Sequence, residues 1–90
     1  MDTPKLNKAQ ETFMQLQKNI HETVISPYRE IKVSFNGDLQ ITELVIANGT
    51  EFSHLELLLT ESINKCIINV SEKIKNAMLI SQQHMQNSNA

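Results

Sequence analysis

Ninety residues, 40% of them hydrophobic and 20% charged, with two Gly and two Pro, describe one globular domain. A second core is excluded, because a chain this short buries only about two-thirds of its unfolded surface. Eight Lys and Arg against ten Asp and Glu leave a formal charge of −2, so no global positive field draws a single chain toward DNA or an anionic membrane, and any basic patch is local.

Apolar side chains at Leu6, Ala9, Phe13, Leu16, Ile20 and Val24 recur at spacings of three and four, which predicts an amphipathic helix over 5–24. Pro4 suits its first turn, and Lys8, Gln10, Glu11, Gln15, Lys18 and Glu22 form its polar face. The stripe keeps a seven-residue rhythm over little more than two repeats, which fits either a coiled-coil-like contact or a plain core-facing helix. Ser26-Pro27 ends it, since the residue before a proline avoids the α region. In Glu30-Ile31-Lys32-Val33-Ser34-Phe35 the apolar residues then alternate, and Asn36-Gly37 reads as a tight hairpin turn with positive φ. Leu39 and Ile41 resume the alternation, but Leu44, Val45 and Ile46 fall out of phase. A bulge near Thr42-Glu43, or a strand covered on both faces, would explain this. Thr23-Val24-Ile25 is the candidate third strand, without which a lone hairpin would be marginal.

Ser53-His54-Leu55-Glu56 reads as a capping box that opens a second helix, with Phe52 and Leu57 as its hydrophobic staple and Asn48-Gly49 turning the chain out of the sheet. The stripe Leu55, Leu58, Leu59, Ile63, Cys66, Ile67, Val70, Ile74, Ala77 and Met78 runs on without Gly or Pro up to residue 85. Such a helix is about 45 Å long, more than a domain this small can cover with its own core. Leu57, Ile68, Leu79 and Ile80 lie off the stripe, which predicts a second apolar contact with another chain. The fold class expected is α+β: an N-terminal helix, a short antiparallel sheet of two to three strands with the Asn-Gly hairpin, and a long C-terminal helix. One domain spans 1–85, and 86–90 form a flexible polar tail.

Catalytic chemistry is not visible. His21, His54 and His84 lie far apart, none with a second His or Cys at metal-ligand spacing. Cys66, set between Ile63 and Ile67, reads as a buried structural thiol. Glu56 and Glu61 read as a cap and a surface charge. No enzyme, metal, cofactor or small-molecule substrate is expected. The single cysteine and the lack of a basic segment followed by an apolar run point to the cytoplasm rather than export or a membrane. The Asn48-Gly49-Thr50 and Asn69-Val70-Ser71 sequons then read as accidental. Nucleic-acid binding has to rest on Lys5, Lys8, Lys18, Arg29, Lys32, Lys65, Lys73 and Lys75, half of them in the polar faces of the two helices near acids such as Glu11, Glu22, Glu61 and Glu72, where composition favours solubility and helix pairing over phosphate contact.

The order helix, hairpin, long helix, with Ile31-Lys32-Val33-Ser34-Phe35-Asn36-Gly37, Leu44-Val45-Ile46, Leu55-Glu56 with Leu58-Leu59, and Asn64-Lys65-Cys66, resembles the YbaB/EbfC family of bacterial nucleoid-associated proteins. The likeness spans roughly residues 6 to 80 in short motifs. It implies a homodimer whose sheets form a joint core, with non-specific binding of double-stranded DNA through helix lysines and a location in the nucleoid. Ile31, Val33, Phe35 and Ile41, with Leu57 and Ile68, become the candidate dimer interface. The sequence departs from the family pattern at Ser26-Pro27-Tyr28-Arg29-Glu30, which replaces a glycine-rich connection, and at Ala47 and Leu57, where the family carries Asp. An interaction or scaffold module of the same fold without DNA affinity is the alternative.

Overall fold

The computed structural model describes residues 7–88, with side chains through residue 83. Helix α1 (Lys8–Lys18) is followed by strands β1 (His21–Ile25), β2 (Ile31–Asn36) and β3 (Ile41–Ile46) and by helix α2 (Phe52–Ser88). The class is α+β, with a three-stranded antiparallel sheet in the order β1-β2-β3.

Asn7 starts α1. Its side chain accepts the Gln10 N–H at 2.8 Å while the Gln10 Oε1 takes the Asn7 N–H at 3.1 Å, a reciprocal cap that satisfies two donors the helix itself leaves unpaired. The start expected near Pro4 lies outside the described residues, and the expected run to Val24 is too long. The helix stops at Lys18, where the Asn19 N–H closes onto the Leu16 and Gln17 carbonyls. Beyond it the β-branched Ile20, Thr23, Val24 and Ile25 favour extended chain, and His21–Ile25 gain a continuous ladder with β2. Ile20 and Val24 are buried all the same. The spacing of four between Ile20 and Val24 thus belongs to the connection after α1 and to a strand, not to a helix.

The β2–β3 turn also differs from expectation. The Asn36 N–H donates to the Gln40 carbonyl at 3.0 Å and the Leu39 N–H to the Asn36 carbonyl at 3.1 Å, which makes a three-residue loop. The left-handed residue is Leu39, at φ 59°, and neither Asn36 nor Gly37 has positive φ. Asn36 instead acts through its side chain, whose Oδ1 accepts the N–H groups of Asp38 and Gln40. The expected bulge is present: pairing passes from Ser34 with Glu43 to Phe35 with Ile41, leaving Thr42 unopposed. Past it, Ile41, Leu44 and Ile46 share the face of their partners Phe35, Val33 and Ile31, while Val45 lies on the other face opposite Lys32.

Helix α2 opens at Phe52, one residue before the expected cap. Among the described residues no hydrogen bond joins the Ser53 hydroxyl to the Glu56 N–H, and Phe52 and Leu57 are both exposed rather than stapled. The chain enters the helix through Glu51, whose carbonyl accepts the His54 N–H at 3.1 Å. From there α2 lies across β1 and β2 and along α1. Cys66 and Val70, flanked by Ile63, Ile67 and Ile74, meet Ile20, Val24, Val33 and Phe35 in one core. The helix continues to Ser88, so the stretch 86–88 read as tail falls in its last turn, and 89–90 lie outside the described residues.

Candidate nucleic-acid and subunit interfaces

Seven of the eight expected phosphate contacts fall within the described residues, and Lys5 falls outside them. They are spread over both helices, a strand and a hairpin. Lys8 and Lys18 lie on α1, Arg29 on the β1–β2 hairpin, Lys32 on the outer face of β2, and Lys65, Lys73 and Lys75 on α2. Two are engaged by carboxylates: Lys32 meets Glu43 at 2.9 Å, and Lys73, reaching over the edge strand β1, meets Glu22 at 2.6 Å. Lys8, Lys18, Arg29, Lys65 and Lys75 are exposed and have no ion-pair partner among the described residues. Glu61 and Glu72, four residues before and seven after Lys65, share its helix face and dilute the field there.

The expected dimer set divides in two. Ile31, Val33 and Phe35 are 0%, 0% and 4% exposed, consumed by the protomer's own core, and offer a second copy no side-chain surface. Ile41, Leu57 and Ile68 are exposed, and Leu44, Val45 and Ile46 join them, so every residue of β3 is open to solvent. A sheet edge of this kind presents unpaired N–H and C=O groups along its length. Its one charged residue, Glu43, is already held by Lys32. Leu57, Ile68 and Leu79 recur at intervals of eleven, three helical turns, and mark one line along the exposed side of α2.

No family model and no curated protein matches this chain.

Groups with chemical potential are quenched or dispersed. Cys66 is fully buried, its Sγ 3.5 Å from the Glu22 carbonyl, and burial, aided by the Glu22 carboxylate, pushes the thiol up from its ordinary value. That keeps it protonated and unreactive. His54 Nδ1 lies 3.6 Å from Glu51 at the exposed start of α2, His21 is an exposed residue of β1, and the His84 side chain lies outside the described set. Among the described residues no three His, Cys, Asp or Glu side chains gather as a metal site, and no helix is long and apolar enough to cross a membrane.

Sequence reasoning marked the β1–β2 connection as a departure from the family pattern but missed how it is held together. Ser26 is buried at its base, and the Ser26 Oγ accepts the Ile31 N–H at 2.9 Å and donates to Glu30 Oε1 at 2.8 Å. The same Glu30 oxygen accepts the Tyr28 N–H at 3.0 Å, while the Arg29 N–H donates to the Ser26 carbonyl at 2.8 Å. Hydrogen bonds from its own N–H and from the Ser26 hydroxyl hold the Glu30 carboxyl below the ordinary carboxylate range. Arg29 sits in the left-handed region at φ 62°, and Tyr28 is 87% exposed. A cleft of 160 Å³ beside this tip is lined by both Pro27 and Lys65. The available signal was a Ser and a Glu flanking Pro-Tyr-Arg, a pattern that says nothing until the path of the loop is known.

Proposed function

We propose that the chain is a cytoplasmic, nucleoid-associated homodimer, a divergent relative of the YbaB/EbfC proteins, that binds double-stranded DNA without sequence preference. The observation that carries the DNA reading is the set of exposed cations with no carboxylate partner among the described residues: Lys8, Lys18, Arg29, Lys65 and Lys75. Each can take a phosphate without first breaking an ion pair. The open edge of β3 supports the dimer: antiparallel pairing of β3 with its copy about a two-fold axis makes one continuous sheet and places the stripe Ile41, Leu44 and Ile46 at the centre of the assembly. With a formal charge of −2 per chain, binding is local, weak and steeply salt-dependent.

A gel-shift titration with random-sequence duplex tests this. Retention is expected at low salt, falling as salt rises with a log–log slope of about 0.9 per phosphate neutralised. Absence of any retention on the order of tens of micromolar protein at low salt, within the usual range of non-specific binding, rejects it. The same fold as a protein-interaction module without DNA affinity is the second reading. It is favoured by Glu61 and Glu72 beside Lys65 and by the exposed line Leu57, Ile68 and Leu79.

A further inference from the structure

The β1–β2 tip spends its polar groups on rigidity and leaves two side chains without any role in the fold. Every hydrogen bond named above for Ser26, Tyr28, Arg29 and Glu30 is internal to the hairpin or anchors it to Ile31. The one acid adjacent to Arg29 is turned inward: Glu30 Oε1 holds the Ser26 hydroxyl and the Tyr28 N–H, so it makes no ion pair with the guanidinium. Arg29 occupies a backbone conformation that favours Gly or Asn, at a cost to stability that no ion pair of its side chain among the described residues offsets. Tyr28, the only tyrosine in a chain without tryptophan, projects its ring into solvent at 87% exposure from a backbone that is pinned. A second cation, Lys65, lines the adjoining cleft together with Pro27 and the acid Glu61.

We propose that this tip is a contact for unpaired bases, in which Arg29 takes a backbone phosphate and the Tyr28 ring stacks on the neighbouring base. The inference rests on the DNA-binding reading and extends it from duplex to unpaired DNA, because stacking requires a base that is not already in a duplex stack. Stacking on an aromatic ring is tolerant of sequence, since every base has a π-face, and a pinned ring loses little freedom on contact. An acidic peptide would satisfy the guanidinium but would leave the ring without a partner.

Tyrosine emission from this chain reports Tyr28 alone, so the test needs no label. Emission is followed during titration at low salt with a single-stranded oligothymidine, a blunt duplex closed at both ends, and a polyglutamate peptide, with gel shifts run on the same samples. Quenching by the oligothymidine that exceeds quenching by the closed duplex and by polyglutamate is the expected result. Tyr28→Ala should weaken retention of the single strand about tenfold, within the range of one base–aromatic stack, while Tyr28→Phe keeps it. Arg29→Gly removes the charge and relieves the left-handed backbone. It should lower the salt slope by about 0.9 for the phosphate lost and raise Tm, so that weakened binding is not a folding defect. Retention of DNA with unchanged Tyr28 emission, or equal quenching by all three probes, overturns the tip while leaving the DNA reading in place. Absence of retention for every nucleic acid removes both.

Discussion

Gly37 is fixed by space rather than by backbone conformation. A Cβ there would lie 2.1 Å from the carbonyl oxygen of Gln17 and 3.0 Å from its carbon, while Gln17 Nε2 donates to the Gly37 carbonyl at 3.1 Å. The obstacle is backbone, so it cannot swing aside, and Gly37→Ala must separate the end of α1 from the hairpin. A loss of about 1–3 kcal/mol is expected, the usual cost of overpacking, read as a lower urea midpoint with an unchanged m-value. Leu39→Gly, two residues on, should act in the opposite direction. Leu39 holds the left-handed position at φ 59°, and relieving about 1–2 kcal/mol of backbone cost against the extra freedom glycine gives the unfolded chain leaves a gain of about 0.5–1 kcal/mol. From the sequence, Asn36-Gly37 marks the turn correctly, but it puts positive φ on residues that do not adopt it. The reason for the glycine lies twenty residues upstream, where no local pattern points.

The two helices depend on their first turns to different degrees. α1 has 11 residues, none of them fully buried, a length at which a helix is marginal in water, so the Asn7 cap carries a large share of its persistence. Asn7→Ala is expected to lower stability by about 1 kcal/mol. Ser53→Ala is expected to stay within about 0.5 kcal/mol, because the Ser53 hydroxyl caps nothing and α2, with 37 residues, is held by its packing on the sheet. Urea melts of the two variants test the two helices separately: a lowered midpoint for Asn7→Ala supports the α1 cap, and a comparable loss for Ser53→Ala would restore the capping box the sequence suggested for α2. Periodicity made α2 legible because one period runs unbroken over its whole length. It misplaced the end of α1 because Leu16, Ile20 and Val24 satisfy a helical spacing while Val24 also satisfies the alternation of a strand. The phase break before Leu44 was legible as a bulge, since a two-residue period exposes any insertion. The candidate site was legible only as a set of residue types. The pairing of Lys32 with Glu43 follows from sheet register, that of Lys73 with Glu22 from the crossing of α2 over β1, and the clasp of Ser26 on Glu30 from the loop path; none of these is a local property of the sequence.

As a whole the molecule is a slab of 57 × 30 × 15 Å, with a radius of gyration of 17.8 Å where a compact chain of this length would have about 12 Å. It exposes 7073 Å², against about 5,400 Å² for a compact monomer of its mass. The difference exceeds the roughly 800 Å² that one partner contributes to a standard interface. Part of the uncovered apolar surface lies on α2 itself and part where α2 does not reach: Ile41, Leu44 and Ile46 continue the core face of the sheet past β2 and remain 48%, 45% and 42% exposed. In a β3-to-β3 dimer these residues meet their symmetry mates, so one substitution introduces two charges at the axis of the interface. If the proposed dimer forms, Leu44→Lys should therefore convert it to a monomer near 10.3 kDa by light scattering at micromolar concentration. Dimerisation also couples to unfolding through mass action, so the wild-type Tm should rise with protein concentration and that of Leu44→Lys should not. A wild-type mass of one chain with a concentration-independent Tm would remove the dimer. A wild-type dimer that survives Leu44→Lys intact would instead move the interface from β3 to the line of Leu57, Ile68 and Leu79 on α2.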